Sequence, residues 1–387
     1  MNNILINGYS CICNAGGDIN EIFDNLINQN TSLLKKREDI IKGSSFYFGT
    51  AEKKLPEIKD ERYNTRCNRL LLYCAEYLDD KIKDLIKKYG PKRISVVIGT
   101  TNSGIDEYEA SNSIFHTEIS NPAGFIKKHY NLKGAHIGVS SACTSGIKAF
   151  IEAIYLLENN LADAVIAGGA DAISVMPSYG FNSLELLSDK RAIPFSKNRK
   201  GINLSEGAAL FILEKEKAQN SFIIKGFGET SDAYHFATPD PAGIEASNAM
   251  VKALKYANLL PDDIDYINLH GTGTISNDIA EANAIYKVFK NKIKSSSTKG
   301  ITGHALGAAS AVESAFCLAL IDKKINKNNL LYPHAYDNVY DDNLPLINLV
   351  KTNERKDNIK YIMNNALGFG GTNASIIFGR EEEDDEK

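Results

Sequence analysis

The stretch AHIGVSSACTSGIKAFIEAIYLLENN (135–160) runs from a short apolar segment, through serine, threonine and glycine, into a long apolar stripe. That order predicts a strand that turns into a helix at Cys143. A cysteine at such a junction can be a buried small hydrophobe, half of a disulfide, a metal ligand or a nucleophile. The same order recurs in SSSTKGITGHALGAASAVESAFCLALI (295–321), where His304 occupies the turn.

Reading outward from these two stretches, the whole chain repeats itself in register. A helical stretch at 68–90 leads into the strand RISVVIGTT, and a helix at 246–260 leads into DYINLHGTGT (265–274). Each half closes on a hydrophobic strand beside glycines, DAVIAGGADA (163–172) and NNALGFGGTNASIIF (364–378). Each half also opens alike, NILINGYS near residue 3 and SFIIKGFGETSD near residue 221. We read two α/β halves related by a pseudo-twofold axis, 1–218 and 219–380, followed by an acidic tail, 381–387. Sites in α/β sheets form beyond the carboxyl ends of strands. Halves packed face to face would therefore bring Cys143, His270 (at the end of YINLH) and His304 to one cleft.

Composition narrows the role of Cys143. The 387 residues are 43% hydrophobic and 24% charged, with no tryptophan, as in an ordinary soluble enzyme. The tail EEEDDEK carries −5 of the net −4, which leaves the body near +1, so charge argues for neither nucleic acid nor membrane binding. The amino terminus lacks a basic n-region and a long apolar core, and no apolar run is long enough to span a bilayer. The expected compartment is the cytoplasm, where thiols stay reduced. Among Cys11, Cys13, Cys67, Cys74, Cys143 and Cys317, no CxxC is matched by a second pair, so no metal site is expected. Cys11 and Cys13 read as structural residues on one strand face, and Cys317 as helix packing.

With these residues in view, the chain resembles the elongating β-ketoacyl-acyl carrier protein synthases of the thiolase superfamily. SSACTSG resembles the nucleophile motif, HGTGT the first histidine motif, STKGITGHALGAA the lysine and second histidine motif, and GFGGTNAS the closing glycine loop; GETSDAYH (228–235) also matches. The resemblance implies a duplicated thiolase-like fold of five layers, αβαβα. It implies decarboxylative Claisen condensation of malonyl-acyl carrier protein with a Cys143-bound acyl chain.

A thiolate at a helix amino terminus has its pKa lowered by free N–H groups and the helix dipole, which suits Cys143 as nucleophile. The resemblance assigns enolate stabilisation to neutral His270 and His304, and the oxyanion hole to the backbone N–H groups of Cys143 and Phe369. It places Phe181 and Phe369 at the acyl pocket as gates, and Thr272 and Thr274 on the phosphopantetheine arm. Lys299 and Glu313 become electrostatic supports; an acid inside the apolar helix AASAVESAF is costly unless paired. The remaining histidines, His116, His129, His136, His235 and His334, read as structural, with His235 nearest to a family motif. No resident cofactor is implied, because substrates ride on the carrier protein's phosphopantetheine.

GTTNSGIDE, GFNSLELLS, RKGINLSEGAAL and YINLHGTGTISND resemble the ketosynthases of bacterial aryl polyene pathways. Four positions depart from the wider family: Ile275 and Ser276 stand where the family usually has a proline, Glu185 replaces a basic residue, and Lys200 an acid. Carrier proteins are acidic, so a basic entrance patch is expected, with Lys127, Lys128, Arg199 and Lys200 as candidates. The partners implied are the carrier protein and a second ketosynthase subunit, either another copy or a cysteine-less homologue acting as chain length factor. Three rival readings fit less well. A thiolase would carry a second cysteine in the closing loop, a pure chain length factor would lack Cys143, and a nucleotide oxidoreductase would need a GxGxxG after a strand.

Overall fold

A computed structural model describes residues 4–380; the acidic tail lies outside them. The first half runs β1 (Ile4–Cys13), α1 (Ile19–Ile27), β2 (Lys35–Arg37), β3 (Phe46–Gly49), α2 (Arg66–Tyr77), α3 (Asp79–Tyr89), β4 (Ile94–Gly99), α4 (Ile105–Ser111), α5 (Asn121–His129), β5 (His136–Val139), α6 (Ser145–Glu158), β6 (Ala164–Asp171), α7 (Val175–Ser183), β7 (Leu204–Ser205) and β8 (Gly207–Glu214). The second runs β9 (Phe222–Ser231), α8 (Ile244–Ala257), β10 (Tyr266–Asn268), α9 (Ile275–Phe289), β11 (Lys294–Ser296), α10 (Lys299–Thr302), α11 (Ala309–Ile321), β12 (Asn348–Leu349), β13 (Tyr361–Gly368) and β14 (Thr372–Arg380).

The strand order is β12-β11-β10-β13-β14-β9-β1-β8-β6-β4-β5, and it reads alike outward from the β1–β9 seam. On each side two antiparallel pairings are followed by two parallel ones: β1–β8, β8–β6, β6–β4, β4–β5, and β9–β14, β14–β13, β13–β10, β10–β11. The seam itself pairs Ile4 with Ile224, Leu5 with Ile223 and Ile6 with Phe222, which makes one continuous ladder of the two sheets.

Alternation along the strands sets the layers. In β4, Val97 faces a central core while Val96 and Ile98 face an outer one; in β14, Ile376 and Phe378 face the centre while Ile377 faces out. The central core holds α1, α6 and α11 between the two sheet faces. One outer core holds α2, α3 and α5, and the other α8 and α9. Helix–sheet–helix–sheet–helix is the five-layered thiolase-like architecture. Every residue of α11 is buried, as a helix apolar all round requires.

Two local expectations differ. The helical stretch 68–90 is two helices, broken at Leu78, whose ψ of 4° leaves the helical region. The strand read as 265–274 pairs only over Tyr266–Asn268; the remainder is a loop carrying His270.

Candidate active site

Cys143 lies in the turn between β5 and α6. Ala142 before it has φ 51°, a left-handed conformation that costs a residue with a side chain about 1–2 kcal/mol. Hydrogen bonds hold the strained turn: the Ser145 hydroxyl donates to the Ala142 carbonyl at 2.6 Å and accepts from the Ser141 N–H at 2.9 Å. Ser310, on α11, accepts from the Ile147 N–H at 3.0 Å and donates to the Cys143 carbonyl at 3.2 Å. The central helices of the two halves are thus tied together beneath the cysteine.

His304 Nε2 lies 2.9 Å from Cys143 Sγ. Backbone bonds fix that histidine on both sides: its N–H donates to the Asn203 carbonyl at 2.8 Å, and its carbonyl accepts from Ser205 N–H at 3.0 Å. The His270 ring stands across the His304 ring, centroids 5.1 Å apart at 84°. All three side chains are buried, and their ligand-type atoms lie within 4.8 Å of one another. Burial, helped by the Lys299 charge, pushes both imidazoles well below their usual pKa, so both are neutral.

The thiol departs from the expectation that its pKa is lowered. Burial pushes it up to about 12, outweighing Lys299 and the backbone N–H groups of Phe369 and Cys143, which favour the thiolate. At rest it is therefore a thiol. Those two N–H groups are nevertheless aimed at the sulfur region. A side chain at Gly368 would put a Cβ 3.2 Å from the Cys143 nitrogen, so glycine lets the closing loop come this near.

A narrow pocket, partly open to solvent, leads to Cys143, with Phe181, Leu186, Ile202, Thr272, Thr274 and Phe369 among its walls. The Phe181 and Phe369 rings lie 5.3 Å apart. The Thr272 and Thr274 hydroxyls are 3.0 Å apart at the mouth, beside Ser276. Ile275 is exposed, and Glu185 is an exposed residue with φ 55°. Lys299 and Glu313 form a buried ion pair, their side chains 1% and 3% exposed. Glu313 Oε2 has no hydrogen-bond partner, and burial raises its pKa against the pull of Lys299.

Arg199 corrects the expected basic patch. It is buried, 2.6 Å from Asp341 and 3.5 Å from Asp278, so two carboxylates consume its charge inside the fold. Lys128 pairs with Asp60, while Lys200 is exposed. His334 is structural: it accepts from the Ser297 N–H at 3.1 Å and bonds the Pro194 carbonyl at 2.9 Å. His116 is buried against Ser111 and the Glu61 carbonyl. His235 stacks on Phe236 in an exposed loop, outside the pocket wall. All six cysteines are unpaired and buried.

Sequence reading passed over two acids on α9, Asp278 and Glu281, and the helix-bridging Ser310. The signal was present for Glu281, which sits between two alanines as an acid in an apolar helical segment, as Glu313 does.

The fold is that of a condensing enzyme, with the buried cysteine and two histidines meeting at the junction of its two halves. Residues 1–219 match the β-ketoacyl synthase N-terminal domain and residues 221–331 the β-ketoacyl synthase C-terminal domain, and the chain belongs to this family. The 3-oxoacyl-[acyl-carrier-protein] synthase 2 of Staphylococcus aureus strain COL is 30% identical over 98% of both chains. That of Coxiella burnetii is 36% identical over 68% of this chain and 66% of its own. A chain of the solved complex of the ketosynthase ApeO with its chain length factor ApeC, from Xenorhabdus doucetiae, is 32% identical over 98% of both chains, with a TM-score of 0.92. The protein is a β-ketoacyl synthase, which forms a carbon–carbon bond in fatty-acid or polyketide synthesis. Among the described residues, no helix is long and apolar enough to cross a membrane.

Proposed function

We propose that this chain is the catalytic subunit of an aryl polyene or related pathway in the cytoplasm, working with acyl carrier protein and a ketosynthase-like partner. The observation that carries the catalytic reading is the 2.9 Å approach of His304 Nε2 to Cys143 Sγ, with neutral His270 beside it. Cys143 attacks the carrier-bound thioester and takes the acyl chain, and the carrier's thiol leaves with a proton. The backbone N–H groups of Cys143 and Phe369 hold the oxyanion of that step. Malonyl-carrier then enters past Thr272 and Thr274, which bond its phosphopantetheine arm. Loss of CO2 leaves an enolate, which the N–H groups of His270 and His304 stabilise. Its carbon attacks the Cys143 thioester and expels the Cys143 thiolate, giving 3-oxoacyl-carrier, and the thiolate takes up a proton from solvent to restore the thiol.

Burial, with the charge of Lys299 that Glu313 holds in place, keeps both histidines in the neutral form from which they donate. Phe181 and Phe369 open and close the acyl pocket. The chemistry calls for no resident metal or redox cofactor. The two halves divide after residue 218. Lys127, Lys128 and Lys200 remain as contacts for an acidic carrier protein. β5 is an edge strand with half-exposed side chains, and that open edge supports pairing with a second chain.

Intact-mass measurement tests the reading. Incubation with acyl carrier proteins should add an acyl group to this chain, and none to Cys143→Ala. An equal adduct on the alanine variant overturns Cys143 as nucleophile. A homodimer elongating saturated chains favours housekeeping fatty-acid elongation instead.

A further inference from the structure

Two buried carboxylates on one face of α9, Asp278 and Glu281, grip the loop that carries His270. Glu281 is fully buried, and its two oxygens accept the backbone N–H groups of His270 at 2.6 Å and Gly271 at 2.7 Å. One turn earlier, Asp278 accepts the N–H groups of Gly273 at 3.2 Å and Phe195 at 2.7 Å, and is itself paired with Arg199. The loop needs such a grip. β10 ends at Asn268, so from His270 onward no strand partner fixes the backbone. Gly271 and Gly273 have φ of 31° and 85°, conformations with weak intrinsic preference for one geometry.

We propose that Glu281 is a positioning residue for His270, setting where the imidazole points by clamping the two peptide N–H groups on either side of its Cα–C bond. The inference rests on the reading of His270 as an enolate-stabilising donor. The chemistry of the pair supports a fixed function. Each oxygen of the carboxyl group takes one N–H bond, so a single side chain fixes two successive peptide groups. Burial raises Glu281 to about 8, and the two N–H bonds and Lys299 pull against that rise. A fully buried acid is retained only where its bonds repay desolvation. These bonds repay it by holding a backbone segment rather than by joining secondary structure. Asp278 extends the clamp to the Thr272–Thr274 end, so one helix face indexes both the histidine and the pocket mouth.

The test uses the full chain in whatever assembly it purifies, with Glu281→Gln, Glu281→Ala, His270→Ala and the double variant Glu281→Gln/His270→Ala. Glutamine keeps the shape and one acceptor, and turns an amide NH2 donor toward the second N–H. Two steps are measured separately: acyl loading of Cys143 and decarboxylation of malonyl-carrier. Glu281→Gln should cut decarboxylation tenfold or more while loading stays within about twofold, and Glu281→Ala should cut it further. Adding Glu281→Gln to His270→Ala should cost no further decarboxylation, because the clamp acts only through the histidine. Loading and decarboxylation falling in proportion in Glu281→Gln, or full additivity in the double variant, overturns the proposal. If His270→Ala alone leaves decarboxylation intact, the reading of His270 itself fails, a result separable from failure of the clamp.

Discussion

His304 Nε2 and Cys143 Sγ sit 2.9 Å apart although 161 residues separate them in the chain. They occupy corresponding turns of the two halves, one after β5 and one after β11. The pseudo-twofold arrangement brings together two turns that neither half could join alone. A hydrogen bond to a buried thiol does not make His304 a strong base, because burial holds both groups neutral at rest. The geometry instead suits a donor that serves the charge appearing later in the cycle.

Replacing either histidine by alanine should therefore divide the two half-reactions. Decarboxylation of malonyl-carrier should fall by about a hundredfold or more, the effect of losing one oxyanion donor. Loading of Cys143, measured by intact mass, should fall much less. Equal losses in the two assays would show that the histidine activates the thiol.

The contact between α6 and α11 gives a second expectation. A Cβ at Gly146 would lie 2.4 Å from the Ala311 nitrogen and 2.8 Å from Ser310 Oγ. Backbone cannot yield as a flexible side chain can, so Gly146→Ala should destabilise the fold by at least about 1–3 kcal/mol, the range for overpacked cores. It should also push Ser310 off Cys143. Thermal unfolding checks this: an unchanged Tm would mean that the two helices separate freely.

Much of this was legible in the sequence because duplication writes the same pattern twice. The strand–turn–helix order at 135–160 and 295–321, the two alternating closing strands and the acid inside α11 each follow from side-chain periodicity or from the expense of burying charge. The rest depended on distances that no linear pattern encodes. Arg199 looks like any surface cation in the segment SKNRKG, and only the fold brings Asp278 and Asp341 against it. The thiol's raised pKa reflects how completely the site is closed, whereas its neighbours in sequence suggested the opposite direction. Glu281 was readable by the argument applied to Glu313, but its partners are backbone N–H groups, which carry no signature.

Lys299 offers a test in pH. Its charge disfavours the imidazolium forms of His270 and His304 and favours the Cys143 thiolate, so it lowers all three pKa values. Removing Lys299 alone would leave Glu313 buried and unpaired, at about 3–5 kcal/mol. The double variant Lys299→Gln/Glu313→Gln keeps volume and hydrogen-bonding capacity. Without the cation, the histidines protonate at higher pH, so the acid limb of decarboxylation should move upward. The thiol should also ionise later, so the rise of iodoacetamide alkylation should move upward too. Stationary limbs in a folded double variant would reduce Lys299 to a packing residue.

The clustered sulfur and imidazoles give a fourth. Their ligand-type atoms lie within 4.8 Å of one another, close enough for a thiophilic ion to draw them together. Added Zn2+ should then inhibit condensation, with full recovery on chelation, and Cys143→Ala should bind it much more weakly. Zn2+ that binds the alanine variant equally well must sit elsewhere.

The last expectation concerns the partner. β5 ends the ladder with only β4 beside it, and its side chains are half exposed or exposed. An unsatisfied strand edge invites pairing with another chain. A permanent interface there would be large and apolar. Expressed alone, the chain should be poorly soluble or form a less active homodimer. Co-expressed with a neighbouring cysteine-less homologue, it should purify as a one-to-one complex that extends unsaturated acyl chains repeatedly. A stable, fully active homodimer on saturated substrates would refute the aryl polyene assignment. The assignment to β-ketoacyl synthases would stand, because it rests on the family match and on Cys143, His270 and His304 rather than on the partner.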